Sequence, residues 1–251
     1  MPSALVKDVL YRAGVLLNDA APAQYTSFPE IDLVQTLNDA QVAVCKIAPW
    51  ASSRVDSIKL TANKSRQHIS SIASANMIPM DGSASVTVRG MFLTSLICNM
   101  GSDGLTEGSA IRLVSLDTAT AANPDWPTQS SDMVEEYVFD ARYPQVFLTL
   151  PKPNAAIWVL AAYQSLPVAI PAGGNPGAEV YAFGGSSTQT ITIDDRYVDD
   201  LVHYVVGRTL LEQVEQAADQ PRGEFFFGLF GSSLKAHADM MRAMDPSLAR
   251  S

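Results

Sequence analysis

The chain has 251 residues, 47% of them hydrophobic, enough to bury one large core or two modest ones, so a disordered chain is excluded. A formal net charge of -9 argues against tight non-specific DNA wrapping, which needs an excess of Lys and Arg to neutralise phosphates. No window approaches the roughly 18 apolar residues of a membrane span, and the opening residues lack the order of a secretion signal, so no membrane anchor and a cytosolic origin are expected.

In chain order, Ser3 is placed to cap a first helix whose Leu5, Val6, Val9, Leu10, Ala13, Leu16 and Leu17 make a wide apolar face, ending within residues 18–25. Ser27-Phe-Pro-Glu30 fits a capping box for a second helix, in which Leu33, Leu37, Ala40, Val44 and Ile47 recur at spacings of four and three before Pro49 closes it. From Arg54 the period changes to two. Residues 55–60, 67–69, 85–93, 111–115, 134–139, 145–150 and 157–163 read as short strands separated by Gly, Pro, Asn and Asp. The clearest hairpin sets Tyr137 and Phe139 against Val146 and Leu148 around a turn at 140–144, and Ser115 caps a short helix over 116–122 that Asn123-Pro124 ends. Glycine-rich composition makes residues 171–177 and 184–187 flexible in expectation.

Residues 192–244 read as two long helices. Asp194 or Asp195 caps the first, whose broad face carries Tyr197, Val198, Leu201, Tyr204, Val205 and Leu211; Asp219, Pro221 and Gly223 read as its stop. The second carries Phe227, Phe230, Leu234, Ala238, Met241 and Met244 in one stripe. Neither terminal pair of helices can hide its stripe alone. The expected class is therefore α+β: a discontinuous four-helix domain from residues 1–50 and 192–245, a β-rich insert over 51–191, and a tail at 246–251 that is disordered in the free subunit.

Chemistry is hard to find. There is no P-loop, dinucleotide-binding glycine pattern, nucleophile elbow or H-E-x-x-H, and His68, His203 and His237 have no sequence partner suggesting a triad or a metal site. Paired carboxylates at Asp194/Asp195 and Asp199/Asp200 suit helix starts better than a glycosidase, because adjacent helical residues point about 100° apart. Cys45 and Cys98 fit no metal or redox spacing and read as buried thiols. No enzyme, cofactor or metal is expected, which leaves surfaces. Phe225 and Phe226 exceed what a helix facing one core needs, and the basic run Arg54, Lys59, Lys64 and Arg66 contrasts with an acidic stretch over 101–140 that includes Asp103 and Glu107. These are the candidate subunit-interface residues, with apolar packing favoured over the charges.

Several segments resemble head-to-tail adaptor proteins of tailed bacteriophages: Ile31-Asp-Leu-Val-Gln-Thr-Leu-Asn-Asp-Ala-Gln41 with Ala48-Pro49-Trp50, Ala110-Ile-Arg-Leu-Val114, Asn123-Pro-Asp-Trp126, Tyr137-Val-Phe-Asp140, the turn from Pro151 to Pro153, and Asp194-Asp-Arg-Tyr-Val-Asp-Asp-Leu-Val202 leading into Arg208. The resemblance implies a virion protein in the neck, a homo-oligomeric ring (dodecameric in this class) that docks under a portal protein, receives a downstream tail or nozzle protein and lets double-stranded DNA pass through its centre. It also implies that the C-terminus, Met244, Asp245, Pro246, Ser247, Leu248, Ala249, Arg250 and Ser251, reaches the portal. An acidic chain suits such a channel, since a basic lumen would bind phosphates at every step. The rival readings are another neck ring, a stopper or gatekeeper, and a carbohydrate-binding virion module whose loop Tyr and Trp residues would stack on sugars.

Overall fold

The computed structural model describes residues 3–19, 27–83, 85–171, 181, 187–212 and 219–244. Apolar spacing forms the first two helices where the sequence predicts them, but neither is capped as predicted. Helix α1 (Val6–Leu17) buries Val6, Val9, Leu10, Ala13 and Leu17, with Leu5 at its N-cap and no side-chain cap bond. Ser3 is engaged elsewhere: its amide donates to the Asp195 carboxylate at 2.8 and 2.9 Å, its hydroxyl donates to the same group, and the Ala4 amide follows at 3.0 Å. Helix α2 (Glu30–Ile47) starts after Pro29 without a capping box. The amides of Ser27 and Phe28 donate to Asp19 at 2.8 and 2.9 Å, and the buried Glu30 carboxylate accepts the Tyr181 amide at 2.8 Å. Remote partners have taken both ends of the expected box.

Between the helices lie the strands β1 (Ser53–Lys59), β2 (Arg66–His68), β3 (Met77–Pro79), β4 (Gly90–Met100), β5 (Glu107–Ala110) and β6 (Arg112–Leu113). Then come α3 (Leu116–Ala122), β7 (Ser130–Ser131), β8 (Glu136–Phe139), β9 (Val146–Leu150), β10 (Lys152–Pro153) and β11 (Trp158–Ser165). Two helices complete the chain, α4 (Val198–Glu212) and α5 (Asp219–Met244), so the protein is of mixed α+β class. Helix α3 is capped by the Ser115 hydroxyl, which accepts from the Thr118 amide at 3.1 Å.

The strands form a five-stranded sheet in the order β3-β1-β11-β4-β5, a four-stranded sheet in the order β2-β9-β8-β6, and a parallel β7/β10 pair. The apolar run of β11 fits its place between β1 and β4, with Val159, Leu160, Ala161 and Tyr163 buried. The β8/β9 hairpin is one residue out of the predicted register: Phe139 faces Phe147 and Tyr137 faces Thr149. Tyr137 and Phe147 share one buried cluster while Val138 and Leu150 enter another, so the alternation on both strands, rather than the turn alone, fixes which face each side chain takes.

This β-rich unit runs Ser53–Leu166; a helical unit comprises Met1–Ser52 and Pro167–Ser251. The second boundary of these compact units falls after Leu166, where the sequence reading set it at 191. Ile170, Tyr181 and Ile191 are buried in the helical core, Asn38 exchanges two hydrogen bonds with the backbone of Ile170 at 2.8 and 2.9 Å, and the Thr192 amide donates to Gln41 at 2.8 Å. The expected flexible glycine runs fall mainly on residues 172–180 and 182–186, outside the described residues.

In the helical unit α4 packs against α1, α2 and α5. Asp194 caps a short 3-10 turn, Asp195–Tyr197, that leads into α4. Asp219, Pro221 and Gly223 do not stop a helix; they begin α5, where the missing N–H of Pro221 falls among donors that have no intrahelical partner. Gly223 meets Gly207 of α4 across the contact. A Cβ on Gly223 would stand 2.9 Å from Leu211 Cγ and 3.2 Å from the Gly207 carbonyl, and one on Gly207 would stand 3.0 Å from the Phe227 amide nitrogen. Phe230, Leu234 and Ala238 continue the buried stripe of α5, but Met244 is 74% exposed and lies outside it.

Two outcomes follow. Leu37 and Leu201 are fully buried in one core, so Leu37→Asp or Leu201→Asp should unfold the helical unit, because an unpaired buried carboxylate costs several kcal/mol, comparable with the whole stability margin; thermal melts followed by circular dichroism read this. Gly223→Leu should keep the fold but lower the melting temperature, by about 1–3 kcal/mol of overpacking, as α5 is pushed off α4.

Candidate functional site

The basic run does not act as one patch. Arg54 Nε donates to Asp56 at 2.8 Å, and the buried Asp56 carboxylate also accepts the Tyr163 hydroxyl at 2.6 Å, so the half-buried Arg54 is tied to a carboxylate of its own strand. Burial first, and then the Asp56 carboxylate, push the Tyr163 phenol well above its ordinary range. Lys59 lays its ammonium over the Trp158 ring at 5.3 Å. Lys64 and Arg66 are exposed, on either side of a turn held by the buried Gln67 amide, which bonds the Thr61 backbone at 2.9 Å on both sides and the Lys64 carbonyl at 2.6 Å.

The acidic candidates are exposed, and one of them builds a turn. The Asp103 carboxylate accepts from the Leu105 and Thr106 amides at 3.0 and 3.1 Å and from the Thr106 hydroxyl at 2.8 Å. Glu107 opens β5, an edge strand exposed at every residue. Lys59 and Glu107 line the same cleft, about 530 Å³, with Asp132, Met133 and Trp158. The structure thus brings one member of each charge group together within a subunit, and leaves Arg54, Lys64 and Arg66 out of that lining.

Helical phase sorts the aromatic run. Phe227 and Phe230 pack on Tyr204, with ring centroids 5.2 and 5.0 Å apart, and half-buried Phe226 lies against His203 at 6.0 Å. Only Phe225 of the four stays out, 62% exposed. Phe226, the other aromatic of the expected subunit contact, is partly buried and packs against the helical core. Met244 is exposed, while Asp245 to Ser251, with the expected tail disorder, lie outside the described residues.

A cluster that no single stretch of sequence contains sits between α4 and α5. Asp200, 1% exposed, has His237 Nδ1 at 3.5 Å and the Ser233 hydroxyl and His203 beside it. Burial, foremost, raises its carboxyl above the usual range. The i,i+3 spacing of Asp200 and His203 was the one local signal; His237 comes from another helix. Among the described residues no group of three or more His, Cys, Asp or Glu is arranged to hold a metal ion. Both thiols are buried, and burial, foremost, pushes Cys45 and Cys98 up and away from the reactive thiolate form.

Trp50 and Trp126 are packed within the protein, and Trp158 forms part of the cleft wall. Trp50 Nε1 donates to the Tyr197 hydroxyl at 2.9 Å, Trp126 lies against the Ala119, Val138 and Leu150 cluster, and Trp158 is covered by Lys59 and packed against Gly104. Tyr143, 63% exposed, is left alone at its turn.

Among the described residues, the features that reach solvent include an edge strand, a cleft and exposed apolar residues of α5, Phe225, Met240 and Met244. A family model described as SU10 adaptor protein matches residues 4–250, and the chain belongs to that family of structural bacteriophage adaptor proteins, which are not enzymes. No curated protein matches the chain. An adaptor of this family is a component of the virion, and among the described residues no helix is long and apolar enough to cross a membrane.

The Asp103 turn carries a pH prediction. Hydrogen bonds from the Leu105 and Thr106 amides and the Thr106 hydroxyl lower its carboxyl to about 2. A depressed carboxylate steadies the turn fully above its unfolded value, about 3.9, and loses that effect as pH falls through about 2. Hydrogen exchange at the Leu105 and Thr106 amides should therefore be faster in Asp103→Ala than in wild type throughout the neutral range.

Proposed function

We propose that this chain is the subunit of a head-to-tail adaptor ring that docks beneath the portal, joins the capsid to the tail and lets double-stranded DNA pass through its central channel. The observation that carries the reading is the family match across residues 4–250. In this reading the helices from the two ends of the chain form one discontinuous ring-building domain, and the ring has twelve subunits. The β-rich unit serves neighbouring subunits or the downstream tail component. The net charge of -9 supports a channel through which phosphates slide without being held.

Neighbouring subunits meet heterologously and close by rotation. Phe225 is the residue assigned to that contact: it is 62% exposed, and burying an aromatic side chain at about 25 cal/mol per Å² outweighs a single screened ion pair, about 0–1 kcal/mol. Met244 and the residues after it face the portal.

The test is native mass spectrometry and electron microscopy of the purified protein with and without its portal protein. Wild type should give rings on the portal in low and high salt, and Phe225→Ser should stay folded but fail to assemble. Rings that form only with other neck components would assign the chain to a stopper or gatekeeper position instead. Rings lost by wild type in high salt, or retained by the Phe225→Ser variant, would transfer the contact to the charged residues. Phe226→Ser is a poor probe, because that ring belongs to the subunit's own packing.

A further inference from the structure

Asp200 is an expensive residue to bury. Its carboxylate is 1% exposed, the Ser233 hydroxyl is the neighbour placed to donate to it, and its contact with that hydroxyl falls short of full hydrogen-bond geometry. His203 Nδ1 and His237 Nδ1 are also buried without a hydrogen-bond partner, and His237 Nδ1 points at Asp200 Oδ2 from 3.5 Å. A neutral imidazole has one N–H donor and one lone pair; when the lone pair is on Nδ1 it faces the carboxylate and repels it. The imidazolium donates from both nitrogens, and a donor here would satisfy a carboxylate that otherwise pays the full cost of leaving water.

We propose that Asp200 and His237 form a proton-operated latch between α4 and α5, in which protonation of His237 on Nδ1 makes a charge-assisted hydrogen bond to Asp200 and fastens the C-terminal half of α5 to α4. The surroundings are compatible with a cation. From α4 itself, Asp199 and His203 face the carboxylate; from α5, Ser233 and His237. Tyr197, before α4, presents its ring edge-on to His237 at 5.4 Å. Arg12 of α1 is occupied by Asp199, and Arg196 by Asp194 at 3.0 Å, so neither supplies Asp200 with its counter-charge. α2 meets α4 within the apolar core, its buried Glu30 turned to the Tyr181 amide. The remaining source of positive charge within this group is an imidazole.

The sign follows from linkage. Burial raises the Asp200 carboxyl, so the ionised side chain costs stability as pH rises past it. A histidine that gains a carboxylate partner on folding adds stability below its titration range, and that stability is lost as pH rises through it. The latch fastens when an added proton makes His237 a donor to the carboxylate, and slackens as pH rises and that proton is lost. It is a property of the subunit and does not depend on the ring reading.

The experiment compares thermal melting of wild type, Asp200→Asn, His237→Gln and His203→Gln between pH 8 and pH 5.5. The melting temperature of wild type relative to Asp200→Asn should rise by about 3 °C or more as pH falls across that range, and His237→Gln should remove the part of the rise that exceeds the burial of Asp200 alone, while His203→Gln keeps it. A difference that is constant with pH, or a rise abolished by His203→Gln instead, overturns the proposal. Nitrogen-resolved NMR of the imidazoles in wild type gives a readout if a variant fails to fold: His237 Nδ1 should take up its proton within this range, and an Nδ1 that stays unprotonated at pH 5.5 is equally fatal.

Discussion

Where α4 and α5 cross, no side chain separates their backbones. Gly207 and Gly223 face each other so closely that a Cβ on either would stand about 3 Å from atoms of the other helix. The stacking of Phe227 and Phe230 on Tyr204, the enclosure of Asp200 against Ser233 and His237, and the seating of Leu234 and Ala238 in the helical core all lie along this one contact. Close packing gives dispersion contacts and excludes water; it also leaves any polar group caught inside with few ways to be satisfied. The same approach that makes the helix pair stable makes Asp200 costly.

That contact also shows where sequence reasoning reached its limit. Pro221 and Gly223 carry two meanings, helix stop or early-helix proline with a close-packing glycine, and only the neighbouring helix decides between them. Where every signal was local, the reading held: α3 spans Leu116–Ala122 with Ser115 as its cap, because a hydroxyl, a short helical run and Asn123-Pro124 act within one another's reach. The caps of α1 and α2 failed for the opposite reason. Asp195 and Asp19 bind the amides concerned from outside the motif, at 2.8–3.0 Å, and a remote carboxylate is not visible in a four-residue pattern.

The candidate surfaces were legible as composition and illegible as geometry. Four phenylalanines within six positions announce surplus apolar area, but which of them faces outward depends on the phase of a helix whose start was misplaced. In sequence Lys59 and Glu107 belong to separate charge groups, and the fold of the β-rich unit sets them in one cleft. Strand β5 had no apolar alternation to betray it: Glu107, Gly108, Ser109 and Ala110 are all exposed, and the strand exists because β4 offers it a ladder. The Asp200 cluster is legible only in part, since two of its members share α4 and the third arrives from α5.

The first and last strands of the β-rich unit lie side by side, with Ser53 opposite Gln164 and Lys59 opposite Trp158. The chain therefore enters and leaves that unit at neighbouring points. Closing a flexible loop costs entropy that grows with its length, and here the inserted unit performs that closure by its own folding. For the helices on either side, more than a hundred residues of sequence behave as a brief connection. Such a module can lengthen, shorten or change its surface loops without altering what the flanking helices have to accomplish, which lets one part of the chain vary while another stays constant.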